Sequence, residues 1–142
     1  MGIDKLIRDG SINSFSASEE EIAKALQIAE RDMQTAQRIR NNDPDWSYSI
    51  GYNAVLQACK AYLFSRGYRA SSHESHKATL AFMQETIEEP WHTKAAYLDR
   101  VRKKRHLLVY DEIGLVSQVE LDNLLTEARV FIDYIKGETK KK

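Results

Sequence analysis

Only one cysteine, Cys59, occurs among the 142 residues, so the chain can form no internal disulfide and carries no paired-cysteine metal site. A continuous apolar run long enough to span a bilayer is missing, and so is a secretory leader, so a soluble cytoplasmic protein with no membrane contact is expected. Neither sign of charge dominates: 21 lysines and arginines balance 21 aspartates and glutamates. The broad basic field of a nonspecific nucleic-acid binder is therefore absent, and any such binding has to be local. Glycine-rich phosphate loops and the serine elbow of hydrolases do not occur, nor do an internal repeat, a domain linker or an alternating strand pattern. The chain is nevertheless long enough, and with 42% hydrophobic residues apolar enough, to bury a core of its own.

What the sequence does contain is helical periodicity. Residues 1–15 mix glycine, serine and asparagine with isolated apolar side chains and read as a loosely ordered lead-in. Ser18 and Glu21 then stand at capping-box spacing, and Ile22, Ala25, Leu26, Ala29, Met33 and Ala36 recur on one helical face. Asp43 can cap a second helix with Pro44 in its first position. That helix, over about residues 44–66, is apolar on nearly every side except a stripe through Asn53, Gln57 and Lys60, which puts it at the centre of a bundle. Gly67 ends it. Ser71 and Glu74 are spaced to cap a third helix carrying His76, Leu80, Met83 and Ile87 on one face, and Pro90 separates it from a fourth. Ser117 and Glu120 open the last, whose stripe of Leu121, Leu124, Leu125, Ala128, Phe131, Ile132 and Ile135 precedes Gly137. With short connections, the expectation is an all-α, up-and-down bundle of about five helices over residues 16–137, followed by a basic tail over 138–142. The apolar surfaces of the second and last helices exceed what one neighbour covers, so the two should pack together and part of the bundle should meet a second subunit.

Charge is concentrated in one place, the stretch from Arg100 to Arg105 with Arg102, Lys103 and Lys104 between, followed by His106 and Tyr110. On a helix the apolar stripe runs through Leu98, Val101 and Leu108, and Arg105 falls on it, so that an arginine faces inward and needs a partner. Arg102 and Lys103 project from the opposite side, where they can stay solvated. Two readings of Arg105 are open: it holds an anionic ligand, or it reaches a buried carboxylate on another helix. His106 is a surface histidine or a proton carrier, and Tyr110 is a core aromatic or a hydrogen-bond donor. His73 and His76 are one helical turn apart, as metal ligands can be, but no third ligand accompanies them. Neither a metal nor a cofactor is expected.

The segment Gly51-Tyr52-Asn53-Ala54-Val55-Leu56-Gln57-Ala58-Cys59, continued through Leu63, Gly67-Tyr68 and Ser72-His73 to Phe82, resembles the central helix and following turn of HEPN domains. The run Arg105-His106-Leu107-Leu108-Val109-Tyr110-Asp111 resembles their late motif, usually an arginine and an asparagine followed after a short gap by a histidine. This resemblance implies a small helical bundle, usually a homodimer, often encoded beside a minimal nucleotidyltransferase. In many members it implies a metal-independent endoribonuclease of toxin-antitoxin or defence systems. Here Arg105 takes the arginine position, His106 stands where asparagine is usual, and Tyr110 stands where the histidine is expected. A second register pairs Arg100 with His106, although those two lie far apart around a helix. Tyrosine, with an ordinary pKa of about 10 against about 6.5 for histidine, is a poor base at neutral pH. The expectation is thus a protein that acts on RNA or nucleotides through the face from Arg105 to Tyr110. Arg105, His106 and Tyr110 are its candidate catalytic residues, and Arg100, Arg102, Lys103 and Lys104 its phosphate contacts. The alternative is a non-catalytic module that engages a nucleotidyltransferase partner.

Overall fold

Caps and breakers set the helix boundaries. In the computed structural model, which describes residues 2–110 and 113–141 and leaves the side chains of Val109 and Tyr110 undescribed, six helices and two short strands follow in order. They are α1 (Ile3–Arg8), β1 (Ile12–Ser14), α2 (Glu19–Ile39), α3 (Pro44–Ser65), β2 (Tyr68–Ala70), α4 (Ser75–Thr86), α5 (Trp91–Tyr110) and α6 (Gln118–Thr139). Ser18 and Glu21 close a capping box at the start of α2, and Ser117 and Glu120 close another at the start of α6. Asp43 accepts from the Trp46 N–H at 3.1 Å, with Pro44 in the first turn of α3.

As its all-round apolarity requires, α3 lies at the centre and touches α2, α4, α5 and α6. Tyr52, Ala54, Val55, Ala58, Cys59 and Leu63 are buried along it. Its first turn is tied to the end of α2 by the buried Ser47 hydroxyl, which donates to the Ala36 carbonyl at 2.7 Å. At Gly51 a β-carbon would meet Leu125 Cδ2 at 2.9 Å and Leu124 Cδ2 at 3.6 Å, so the missing side chain lets α6 approach α3 closely. All seven residues of the α6 stripe, Leu121 through Ile135, are buried. The packing of α3 on α6 is as the pattern requires.

Three expectations need correction. The lead-in is structured: α1 precedes a strand, β1, that pairs antiparallel with β2 in the register Ile12 with Ala70 and Ser14 with Tyr68. Ile12, at 1% exposure, belongs to the core. Strands of three residues are too short to show an alternating pattern. Second, Ser71 and Glu74 form no capping box; Glu74 occupies the N-cap position with φ 51° and makes no side-chain cap. The cause is the sheet, because the Ser71 N–H donates to the Ser11 carbonyl at 2.9 Å and extends the pairing beyond β2. Third, α6 continues through Gly137 to Thr139, where Glu138 holds the Arg66 guanidinium at 3.4 Å and Lys141 at 2.7 Å.

Around this core α6 is laced to its neighbours by ion pairs: Arg40 to Asp122, Lys94 to Glu127, Lys104 to Glu120, and both Arg129 and Lys136 to Glu30. Arg129 grips Glu30 with two hydrogen bonds of 2.8 and 2.6 Å, the bidentate geometry that a guanidinium fork favours. Those bonds hold the Glu30 carboxyl at about 2, against 4.5 for an ordinary glutamate. Since the folded value lies below the unfolded one, the pairing stabilises the fold fully above about pH 4.5 and is lost as pH falls toward 2. Replacing Glu30 with glutamine should therefore flatten the decline of Tm across that acid window. An acid limb unchanged in the variant would show that other groups produce it.

Candidate functional site

The inward face of α5 begins as a packing stripe and ends as a charged one. Leu98 and Val101 are buried at 2% exposure each, and Arg105, one helical turn further on, follows the same stripe toward α3. Its guanidinium carbon lies 5.9 Å from the centroid of the Tyr52 ring, and its Nε is buried with no hydrogen-bond partner. Among the described residues no carboxylate pairs with it. Of the two readings of Arg105, the ion pair with a carboxylate on another helix has no counterpart among the described residues. An aromatic face supports the cation instead.

The same tyrosine connects to α4. The Tyr52 hydroxyl lies 3.4 Å from Nδ1 of His76, and the two rings are 5.8 Å apart. Burial pushes the Tyr52 hydroxyl well above the ordinary tyrosine range, so it stays protonated. Burial, reinforced by the charges of Arg105 and Arg102, lowers the pKa of His76 below 6.5 and keeps its imidazole neutral at neutral pH. A neutral imidazole carries its proton on one ring nitrogen and accepts at the other. The cluster thus joins a fixed cation, a neutral hydroxyl and a neutral imidazole from three different helices. It can bind an anionic oxygen through Arg105 and exchange a proton through His76.

The other cations of α5 divide into two groups. Arg102 is half-buried and bound to Asp99 at 2.9 Å, which corrects the expectation that it is solvated; Lys103 shares that carboxylate at 3.8 Å and remains exposed. Lys104 is engaged by Glu120 of α6. Arg100 is exposed, 5.9 Å above the Tyr97 ring. Arg100 can meet a phosphate without rearrangement and Lys103 by turning from Asp99, whereas Arg102 and Lys104 already serve the fold. His106 is exposed beside Arg105. Tyr110 ends α5, and its side chain lies outside the described residues, as does Asp111.

Neither Tyr52 nor His76 stands out from composition as part of a site. The available signal is geometric: His76 falls on the inward stripe of α4 just as Arg105 falls on that of α5, and two polar residues on inward stripes of adjacent helices converge. His73 is exposed, and among the described residues no group of three histidine, cysteine, aspartate or glutamate side chains is arranged to hold a metal. Cys59 is fully buried, which pushes its thiol up and out of reactive range.

An NMR pH titration should find His76 changing protonation below 6.5. Arg105→Met should raise that midpoint only part of the way, because burial is the larger cause and persists in the variant. The unfolded chain takes up this proton at higher pH than the fold does, so the His76 contribution lowers stability as pH drops below about 6.5. A midpoint at or above the value of free histidine would contradict the buried placement.

No helix among the described residues is long and apolar enough to cross a membrane. A search of curated proteins returns no significant match. The family model of the HEPN domain matches residues 22–138, a span that takes in α3, α4 and α5, nearly all of α2 and α6, and every member of the cluster around Tyr52. The chain belongs to the HEPN domain family.

Proposed function

We propose that this HEPN-family chain binds the phosphate groups of RNA or of a nucleotide on the C-terminal half of α5, with little or no cleavage. The observation that carries this reading is the environment of Arg105: a guanidinium supported by the Tyr52 ring at 5.9 Å, with exposed Arg100 and Lys103 on the same helix. Arginine holds phosphate oxygens with two parallel N–H donors, and the neighbouring cations supply the long-range field. Metal-free cleavage of RNA also requires one group to remove the proton of the 2′-hydroxyl and another to protonate the leaving oxygen. Tyr110 in place of histidine supplies a donor but not a base near neutral pH. His106 is the candidate proton carrier on this part of α5.

Fluorescence anisotropy with a single-stranded RNA at low salt should detect binding that weakens steeply as salt is added. Arg105→Ala should reduce affinity about tenfold or more, as expected for losing charge-assisted hydrogen bonds. Its stability should fall by only about 1 kcal/mol, the worth of a cation resting on a ring, rather than by the roughly 3 to 5 kcal/mol of a broken buried ion pair. RNA binding unaffected by the substitution would remove Arg105 from the site. Efficient metal-free cleavage that disappears only when His106 is replaced would assign the chemistry to the register of Arg100 with His106.

A second reading, a non-catalytic module that meets another protein chain, is favoured by apolar surface at the same end of the bundle. Trp46 and Ile113 are 53% and 88% exposed and line, with Leu108 and Val116, an open cleft of about 570 Å³. Exposed Leu107 and Val119 lie on the adjoining ends of α5 and α6. Exposed apolar side chains in such number suit a subunit interface, either of a homodimer or with a nucleotidyltransferase partner. Equilibrium sedimentation at micromolar concentration should show a dimer, and Trp46→Asp with Ile113→Asp should convert it to monomer. A wild-type monomer under those conditions would overturn the homodimer.

A further inference from the structure

A second concentration of uncompensated positive charge lies beyond His76 from the α5 face, between the outer side of α3, β2 and the start of α4. A cavity of about 320 Å³ opens there, a size at the lower end of small-molecule sites. Lys60, Arg69 and His76 line it together with Gln57, Ser72 and Ser75, and no carboxylate is among its lining residues. Glu74, the nearest acid in sequence, lines a separate cavity beside α1.

The two permanent cations are held in place without being neutralised. Lys60 Nζ lies 5.6 Å from the centroid of the Phe64 ring, the Arg69 guanidinium carbon lies 4.9 Å from that of Phe15, and the two rings are 5.0 Å from each other. An aromatic pair between two cations fixes their positions while leaving their charge undiminished. The cations of α6 and its neighbours behave differently, since Arg40, Lys94, Lys104, Arg129 and Lys136 each end on a carboxylate of another helix. Among the described residues, the side chains of Gln57, Ser72 and Ser75 make no hydrogen bond within the protein, so their donors are available to a ligand.

We propose that this cavity is a phosphate-monoester site. Lys60 and Arg69 supply the charge a dianion requires, and the Ser72 and Ser75 hydroxyls and the Gln57 amide supply directed donors to its oxygens. The space beyond one phosphate group accommodates the body of a small phosphorylated molecule or the end of a nucleic-acid strand. A monoester fits better than a carboxylate because its three terminal oxygens can use more of these donors at once. His76 forms a wall common to this cavity and to the cluster of Tyr52 and Arg105, so an occupied cavity adjoins the α5 face. The proposal does not rest on RNA binding at α5.

The test is an NMR titration of the full chain with inorganic phosphate and then with AMP, following the amides of Ser72 and Ser75 and the His76 ring. Saturable shifts with a Kd at or below about 1 mM are expected for AMP. Lys60→Met and Arg69→Gln should each weaken binding about tenfold; both side chains are at the surface, and an unchanged amide spectrum verifies their fold. Ser75→Glu, which places a carboxylate in the cavity, should abolish binding. A 5′-phosphorylated RNA oligonucleotide compared with its 5′-hydroxyl form identifies the source: a preference for the phosphorylated strand that is lost in Arg69→Gln assigns a strand end, and AMP binding without that preference assigns a free nucleotide. The proposal is overturned if phosphate and AMP produce no saturable shift at these residues, if chloride at equal ionic strength produces the same shift, or if binding survives both Lys60→Met and Arg69→Gln.

Discussion

The approach of α6 to α3 at Gly51 sets the spacing of the two helices on which the core is built. With Leu125 Cδ2 only 2.9 Å from where a β-carbon would stand, the two helices meet nearly backbone to side chain. The α6 stripe can therefore bury completely against a helix that is itself surrounded. Burial of this kind is non-directional and does not by itself fix how far α6 slides or turns. The ion pairs from α6 to Glu30 and from Lys94 and Lys104 to α6 add that direction. Once α3 is held between α2 and α6, its remaining side presents Tyr52 to α4 and α5. The candidate site is thus a consequence of how the core is filled.

Much of this is legible in the sequence alone. The capping boxes at Ser18 and Ser117, the Asp43 and Pro44 boundary and the seven-residue stripe of α6 all depend on contacts within a few residues or on a long regular period. The inward position of Arg105 was legible for the same reason, but its partner was not, because the face of a ring on another helix leaves no trace in sequence spacing. Ser71 and Glu74 show the opposite failure. They have the same spacing as the two working boxes, yet Ser71 is bound into the pairing with Ser11, and a long-range contact overrode a local one. The solvated reading of Arg102 missed a signal that was present, since Asp99 three residues earlier is well placed to hold it.

The distribution of cations in α5 separates support from recognition. Lys94 and Lys104 face α6 and are neutralised there; Arg102 is neutralised within its own helix by Asp99. Arg100 and Arg105 instead rest near aromatic rings, which immobilise a cation without cancelling its field. The net charge of the chain is zero, so its electrostatics are local and depend on which cations lack a nearby carboxylate.

That dependence gives the N-terminal segment an unexpected standing. Phe15, just beyond β1, is the cushion under Arg69, and the pairing of β1 with β2 is what brings it there. A chain shortened ahead of residue 16 would keep the five long helices and most of the core, and its far-UV circular dichroism would look native. Arg69 would nevertheless be released from its ring, and the edge of the turn between α3 and α4 would be unpaired. Helical content is therefore a poor witness for the integrity of that corner, and a fusion or trimming strategy chosen to preserve the bundle can silently remove the ring that holds Arg69.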